Sequence, residues 1–136
     1  MTIHVRLRGE RGSVAIAGIL LAMVMVMLIG TAVDIGRAFI VRRDLTAMTD
    51  DAALAGSQQL DVDAWRQGTL ALDPQAAQQT ADAQLAADPG VSGSATAEPS
   101  EITVQAKEQF PTIVLRLVGM SELTVSATAT AVPRQP

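Results

Sequence analysis

The chain has 136 residues, with 14 acidic and 10 basic side chains and a net charge of −4. That gives room for one small domain plus an accessory segment, and it excludes the basic body a nucleic-acid phosphate backbone demands. There is no cysteine, so disulfides, thiolate nucleophiles and sulfur-ligated zinc are excluded, while the compartment stays open.

Residues 1–12 form a basic tail in which Arg6, Arg8 and Arg11 outnumber Glu10. The body is acidic: from Ser57 onward, Arg66, Lys107, Arg116 and Arg134 are outnumbered by Asp and Glu. A membrane surface attracts such a tail. The single histidine, His4, lies in it and reads as solvated, with no role as a catalyst or ligand.

Residues 13–33 contain no charge and no proline. At helical rise they cover ~31 Å, close to the hydrocarbon thickness of a bilayer. Ile, Leu, Val, Met and Ala lie on all sides of this helix, as lipid requires. A buried core helix is the soluble alternative, but the chain lacks the apolar mass to surround one. A cleaved secretory signal is the other; its apolar core typically runs only ~7–15 residues, and no small-residue cleavage site follows here. The reading is a single transmembrane helix. Arginines on its two sides nearly tie, with Arg37, Arg42 and Arg43 balancing the tail, so charge only mildly favours a cytoplasmic N-terminus.

Residues 34–56 continue the helix outside the membrane. Ala38, Val41, Leu45, Met48, Ala52 and Ala55 recur at spacings of three and four, a narrow seam along a rod. The seam packs either on this chain's own C-terminal body or on neighbouring copies, and the two are compatible. Gly18 with Ala22, and Ala32 with Gly36, are small-xxx-small pairs, a weak sign of close helix approach. Asp34 and Arg37 are spaced to pair on one face at the lipid edge, which is favoured over a pairing of Asp34 with a neighbour's charge. Gly56 is the expected stop.

Residues 57–136 read as a small α+β domain. A connector holds a partial helix around Trp65, whose ring reads as core or interface. Asp73–Pro74 opens a helix with Ala77, Ala81 and Leu85 on one side, and Asp88–Pro89–Gly90 closes it. Ser94–Glu98 is a short strand. Ile102, Val104 and Ala106 alternate with polar residues in a second. Pro111 opens a short helix placing Ile113, Val114, Leu117 and Val118 against the sheet, ended by Gly119. Leu123, Val125, Ala127, Ala129 and Ala131 form a last strand with one hydroxyl face. A small antiparallel sheet backed by helices is the economical arrangement.

No catalytic constellation emerges, and the expectation is a non-enzyme without cofactor, metal, nucleic acid or small-molecule substrate. Asp50–Asp51 and Asp61/Asp63 are paired carboxylates, read as solvated faces or helix caps because no His or Cys completes a metal set. Ser57 has no base in a recognisable arrangement. Gly9–Gly12 lacks the Gly-Lys-Ser/Thr of a phosphate loop.

The stretch from Arg11 to Leu60 resembles the N-terminal signature of the TadE/TadG-like proteins of Flp (Tad) pilus assembly. The elements that carry the likeness are Glu10–Arg11–Gly12, then the membrane helix, then Ala32–Val33–Asp34–Ile35–Gly36–Arg37. The basic pair Arg42–Arg43 and Asp50–Asp51–Ala52–Ala53–Leu54–Ala55–Gly56 complete it. Within it Arg11, Gly12, Asp34, Gly36, Arg37, Asp51, Ala52, Leu54 and Gly56 are the family-motif residues. The closing Ser/Thr–Ala strand is similar to the ending of small members.

The resemblance implies a pilus-assembly or minor-pilin-like protein of a Flp/Tad type IV pilus or related secretion system. It would be anchored in the plasma membrane with its N-terminus cytoplasmic and its C-terminal domain outside. It would associate through helices with other Tad proteins, pilin subunits or its own copies. The pilin-like plan, a long helix laid on a small sheet, enters as an analogy. One feature departs: prepilins carry Glu five residues after the cleavage glycine, where this chain has Ala17 after Gly12 and Val14 after Gly9. Prepilin-peptidase cleavage is therefore not implied. The alternative is a single-pass anchored extracytoplasmic binding or envelope module unrelated to pili; a membrane-bound hydrolase lacks the residues it would need.

Overall fold

The computed structural model describes residues 10–134. The basic tail at residues 1–9, with His4, Arg6 and Arg8, lies outside the described residues.

A single helix, α1, runs unbroken from Glu10 to Ser57, 48 residues. The segment has no proline, and its glycines are spaced singly among strong helix formers, so nothing interrupts the ladder of i→i−4 bonds. Its length is ~72 Å. The helix is long and apolar enough to cross a membrane, and none of its most apolar window is buried. Val14, Ile19, Met23, Val26 and Ile29 all stand exposed.

The rest of the chain folds against the second half of α1. A connector carries a one-turn helix α2 (Val62–Arg66), and α3 follows (Pro74–Leu85). Asp61 and Asp73 open these helices as N-caps, each carboxylate accepting two backbone N–H groups. An isolated bridge between Leu60 and Leu72 ties the connector back on itself. Three antiparallel strands complete the body in the order β1 (Val91–Glu98), β2 (Glu101–Pro111), β3 (Glu122–Ala131).

The strands pair so that the large side chains at the centre of β2 sit between small ones. Val104 is flanked by Ala95 and Ala129, and Ile102 by Ala97 and Ala131. The inner face therefore has a central ridge. α1 packs over β3, α3 packs over β1, and the two helices touch each other above the ridge. Leu45, Ala52 and Ala53 of α1 meet Ala77, Ala81 and Leu85 of α3 and the ridge residues in one buried cluster. Small residues on both helices bring the backbones close, so the body holds together with few large side chains. Gly56 is a close-approach position: a Cβ there would overlap the Ile102 side chain and lie 3.0 Å from the Ala77 carbonyl oxygen. On the free edge of β1, the Ala95 N–H is occupied by an Asp82 carboxylate oxygen at 2.8 Å, which blunts one edge of the sheet.

The α+β arrangement agrees with the sequence reading and differs from it in detail. β1 begins at Val91 and β2 runs on through Pro111, so the proline ends a strand and opens no helix. The short helix is a single 3-10 turn, Leu115–Val118, closed by Gly119 in the left-handed region at φ 93°. Ile113, Leu117 and Val118 are exposed and do not face the sheet. Trp65 is also half in solvent and is not part of the core.

Candidate functional site

The residues singled out in α1 divide into a buried set and a bare set. Along the seam Leu45 and Ala52 are buried and Ala38, Val41, Met48 and Ala55 are half-buried. All lie on the side that carries this chain's own body. Thr49, Ala53 and Ser57 belong to the same buried face and escaped the pattern. Thr49 Oγ1 donates to the Leu45 carbonyl at 2.6 Å and Ser57 Oγ to that of Leu54 at 2.8 Å. Their hydroxyls are satisfied within the helix, so they are buried at little cost.

Asp34 is the centre of the site. Its side chain is fully buried, and its carboxylate reaches across to the β2–β3 connection, residues 112–121. Oδ1 accepts the Ile113 N–H at 2.9 Å; Oδ2 accepts those of Val114 at 2.8 Å and Leu115 at 3.0 Å. These are the unpaired donors at the start of the 3-10 turn, and one carboxylate satisfies all three. The Leu115 and Ile113 amides hold the Asp34 carboxyl below its ordinary value, overcoming the upward push of burial. The Val114 amide and the nearby Arg37 charge add to the lowering.

The expected Asp34–Arg37 ion pair is absent: among the described residues the only salt bridge is the exposed Arg66–Asp63 contact. Arg37 instead turns to the same connection. Its Nη1 donates to the Pro111 carbonyl at 3.4 Å, and its guanidinium lies 5.9 Å from the centre of the Phe110 ring. The backbone amides outcompete Arg37 because they are fixed in a converging fan, whereas the arginine must be ordered to pair.

Gly30, one turn before Asp34, completes the seat. A Cβ at that position would overlap the Val114 side chain, so only glycine lets the connection lie this close to α1. Thr112 fastens the other side: its N–H donates to the Ser121 carbonyl at 3.0 Å and its hydroxyl to that of Met120. Sequence reasoning missed Gly30. The signal was there, since Gly30 and Asp34 are four apart and share one helical face.

Of the remaining motif residues, Gly12, Gly36, Asp51 and Leu54 stay on the surface, and the Arg11 side chain lies outside the described residues. A Cβ at Gly12, Gly18 or Gly36 would meet nothing within 4 Å. Asp50 is exposed like Asp51, Asp61 caps α2, and Asp63 pairs with Arg66. A shallow apolar groove of about 230 Å³ runs between α1 and β3, lined by Ile35, Ala38, Phe39, Arg42, Leu123 and Val125.

Residues 12–59 match the family model described as "Putative Flp pilus-assembly TadE/G-like". The match takes in Gly30, Asp34, Arg37 and the whole seam, and it stops short of the sheet. No curated protein and no solved structure matches the chain.

Proposed function

Because residues 12–59 form a TadE/G-like segment, we propose that this protein works in Flp (Tad) pilus assembly as a single-pass membrane protein. Residues 13–33 cross the plasma membrane, the basic tail stays in the cytoplasm, and the body packed on residues 34–57 stands outside. The protein acts by association with other Tad components or pilin subunits and carries out no reaction.

One observation carries this reading. The matched segment coincides with an unbroken helix whose first half is bare and apolar while its second half is covered by a folded body. A bare apolar helix of that length is costly in water and at home in lipid. The seam is already occupied by the chain's own sheet and α3, so association uses the other faces. Those are the bare sides of the span and the strip through Ile35 and Phe39, both exposed.

Deletion of the gene in a piliated host tests the role, with loss of surface pili and rescue by the intact gene expected. Unchanged piliation overturns it. Reporter fusions at the C-terminus, active only outside the cytoplasm, test the orientation.

A further inference from the structure

We propose that the β2–β3 connection, residues 112–121, is a second membrane contact: its apolar tip seats in the lipid interface beside the span. The proposal rests on the reading that residues 13–33 cross a bilayer.

The length of the body sets the height of this tip. From Asp34 to Ser57 α1 rises ~36 Å, and the eleven residues of β2 also cover ~36 Å. Ile102, near the start of β2, lies against Gly56, and Phe110, near its end, lies under Arg37. β2 therefore runs the full length of the helix extension, and the connection after it emerges where the apolar run begins. Val114 touches Gly30, which lies ~6 Å further along the axis into that run.

The tip has the chemistry of an interfacial segment. Ile113, Leu117, Val118 and Met120 are 55, 72, 59 and 50 % exposed, a patch that water disfavours and that none of the described residues covers. Arg116 is the one charge between Pro111 and Glu122, on a long side chain able to reach lipid phosphate. The backbone is also prepared for a dry setting. Asp34 takes the Ile113, Val114 and Leu115 amides, while Leu117, Gly119 and Met120 donate to carbonyls within the turn. Unpaired amides oppose entry into lipid, and these six are paired.

Two contacts fix more than one does. A lone helix is free to rotate and slide in the bilayer; a helix with a lipid-seated tip holds the body at one height, with one side of the extension facing outward.

The chain has no native cysteine, so single labels are unambiguous. The full-length protein would be reconstituted in phosphatidylcholine–phosphatidylglycerol vesicles with an environment-sensitive fluorophore on Leu117→Cys, Met120→Cys, Gln84→Cys or Val24→Cys. Iodide quenches from water, and nitroxides near the lipid headgroup or deep in the chains quench from the bilayer. Labels at 117 and 120 are expected to be shielded from iodide several-fold relative to position 84 and quenched by the shallow nitroxide. Iodide access equal to that at 84, with position 24 quenched from lipid, overturns the proposal and leaves the span intact. Shielding from both quenchers overturns it in favour of a protein covering the tip. Failure of position 24 to respond to lipid nitroxides overturns the membrane reading itself, and this proposal with it.

Discussion

Asp34 and Val114 stand 80 positions apart in sequence and are joined by a 2.8 Å hydrogen bond from the Val114 amide to Oδ2 of the carboxylate. That bond and its two neighbours connect the point where the apolar run ends to the far hairpin of the body. The motif aspartate thus acts inside the molecule, fastening the sheet to the helix at the end nearest the apolar segment.

Asp34→Ala removes the acceptor for three amides and frees the connection without disturbing the core around Leu45, Ile102 and Val104. Trypsin cleavage after Arg116 reports the opening, because that residue is the one basic site in the connection. The cut is expected to be roughly tenfold faster, with circular dichroism nearly unchanged, since cleavage tracks the population of the open form. Asp34→Asn, which keeps one acceptor oxygen, falls between. Equal cleavage in all three proteins would show that the carboxylate does not hold the connection.

The same carboxylate sets an acid limit. Its folded pKa is lowered from 3.8, so its contribution is fully present above that value and is lost as pH falls through the lower folded one. A fluorophore at Leu117→Cys in detergent micelles is expected to stay constant from neutral pH down to that range and to change below it. In the Asp34→Asn background this acid step disappears. A step at higher pH would contradict the lowering.

Gly30 tests the seat from the other side. Gly→Ala in a helix ordinarily gains about 0.5–1 kcal/mol, whereas overpacking against Val114 costs about 1–3 kcal/mol. Gly30→Ala is therefore expected to destabilise, and Val114→Ala to restore part of the loss. A double-mutant cycle read by denaturation in micelles isolates the term. Additive effects would mean that the two residues do not meet.

Much of this architecture is legible in the sequence, and the misses share a cause. The unbroken helix follows from the absence of proline between Ser13 and Gly56, and α3 from its Asp73–Pro74 opening. The alternation in β3 also shows directly. What stays hidden is the partner of Asp34, because backbone amides carry no residue identity. Arg37, three positions away, offers a more obvious partner that the fold does not use. The exposure of Ile113, Leu117 and Val118 is hidden for a related reason: an apolar residue in a short segment reads as core, and nothing in its spacing marks it as exposed. Thr49 and Ser57 break the apolar pattern of the seam, although their hydroxyls are satisfied by the helix itself.

The core ridge gives a stability prediction independent of any membrane. Ile102 is fully buried between Gly56 and the flanking alanines. Ile102→Ala is expected to cost about 2–5 kcal/mol in micelles through lost burial and an unfilled cavity. Gly56→Ala, which crowds Ile102 and the Ala77 carbonyl, costs about 1–3 kcal/mol. Combining the two should be less costly than their sum, since the truncated side chain leaves room for the new methyl. A strictly additive double variant would refute that contact.

Glu108 works against the fold. It follows the alternation of Ile102, Val104 and Ala106 onto the inner face, between Val91 and Val125. Burial raises its pKa above the ordinary 4.5, and the nearby Asp88 and Asp44 charges raise it further. A raised carboxyl favours the fold while protonated and loses that advantage as pH rises from 4.5 through the folded value. Glu108→Gln removes the charge and keeps the shape, so it is expected to match the parent protein near pH 4 and to be modestly more stable at pH 7. Denaturant midpoints at the two pH values decide the matter. If the glutamine variant is no more stable at pH 7, the penalty assigned to burial is wrong.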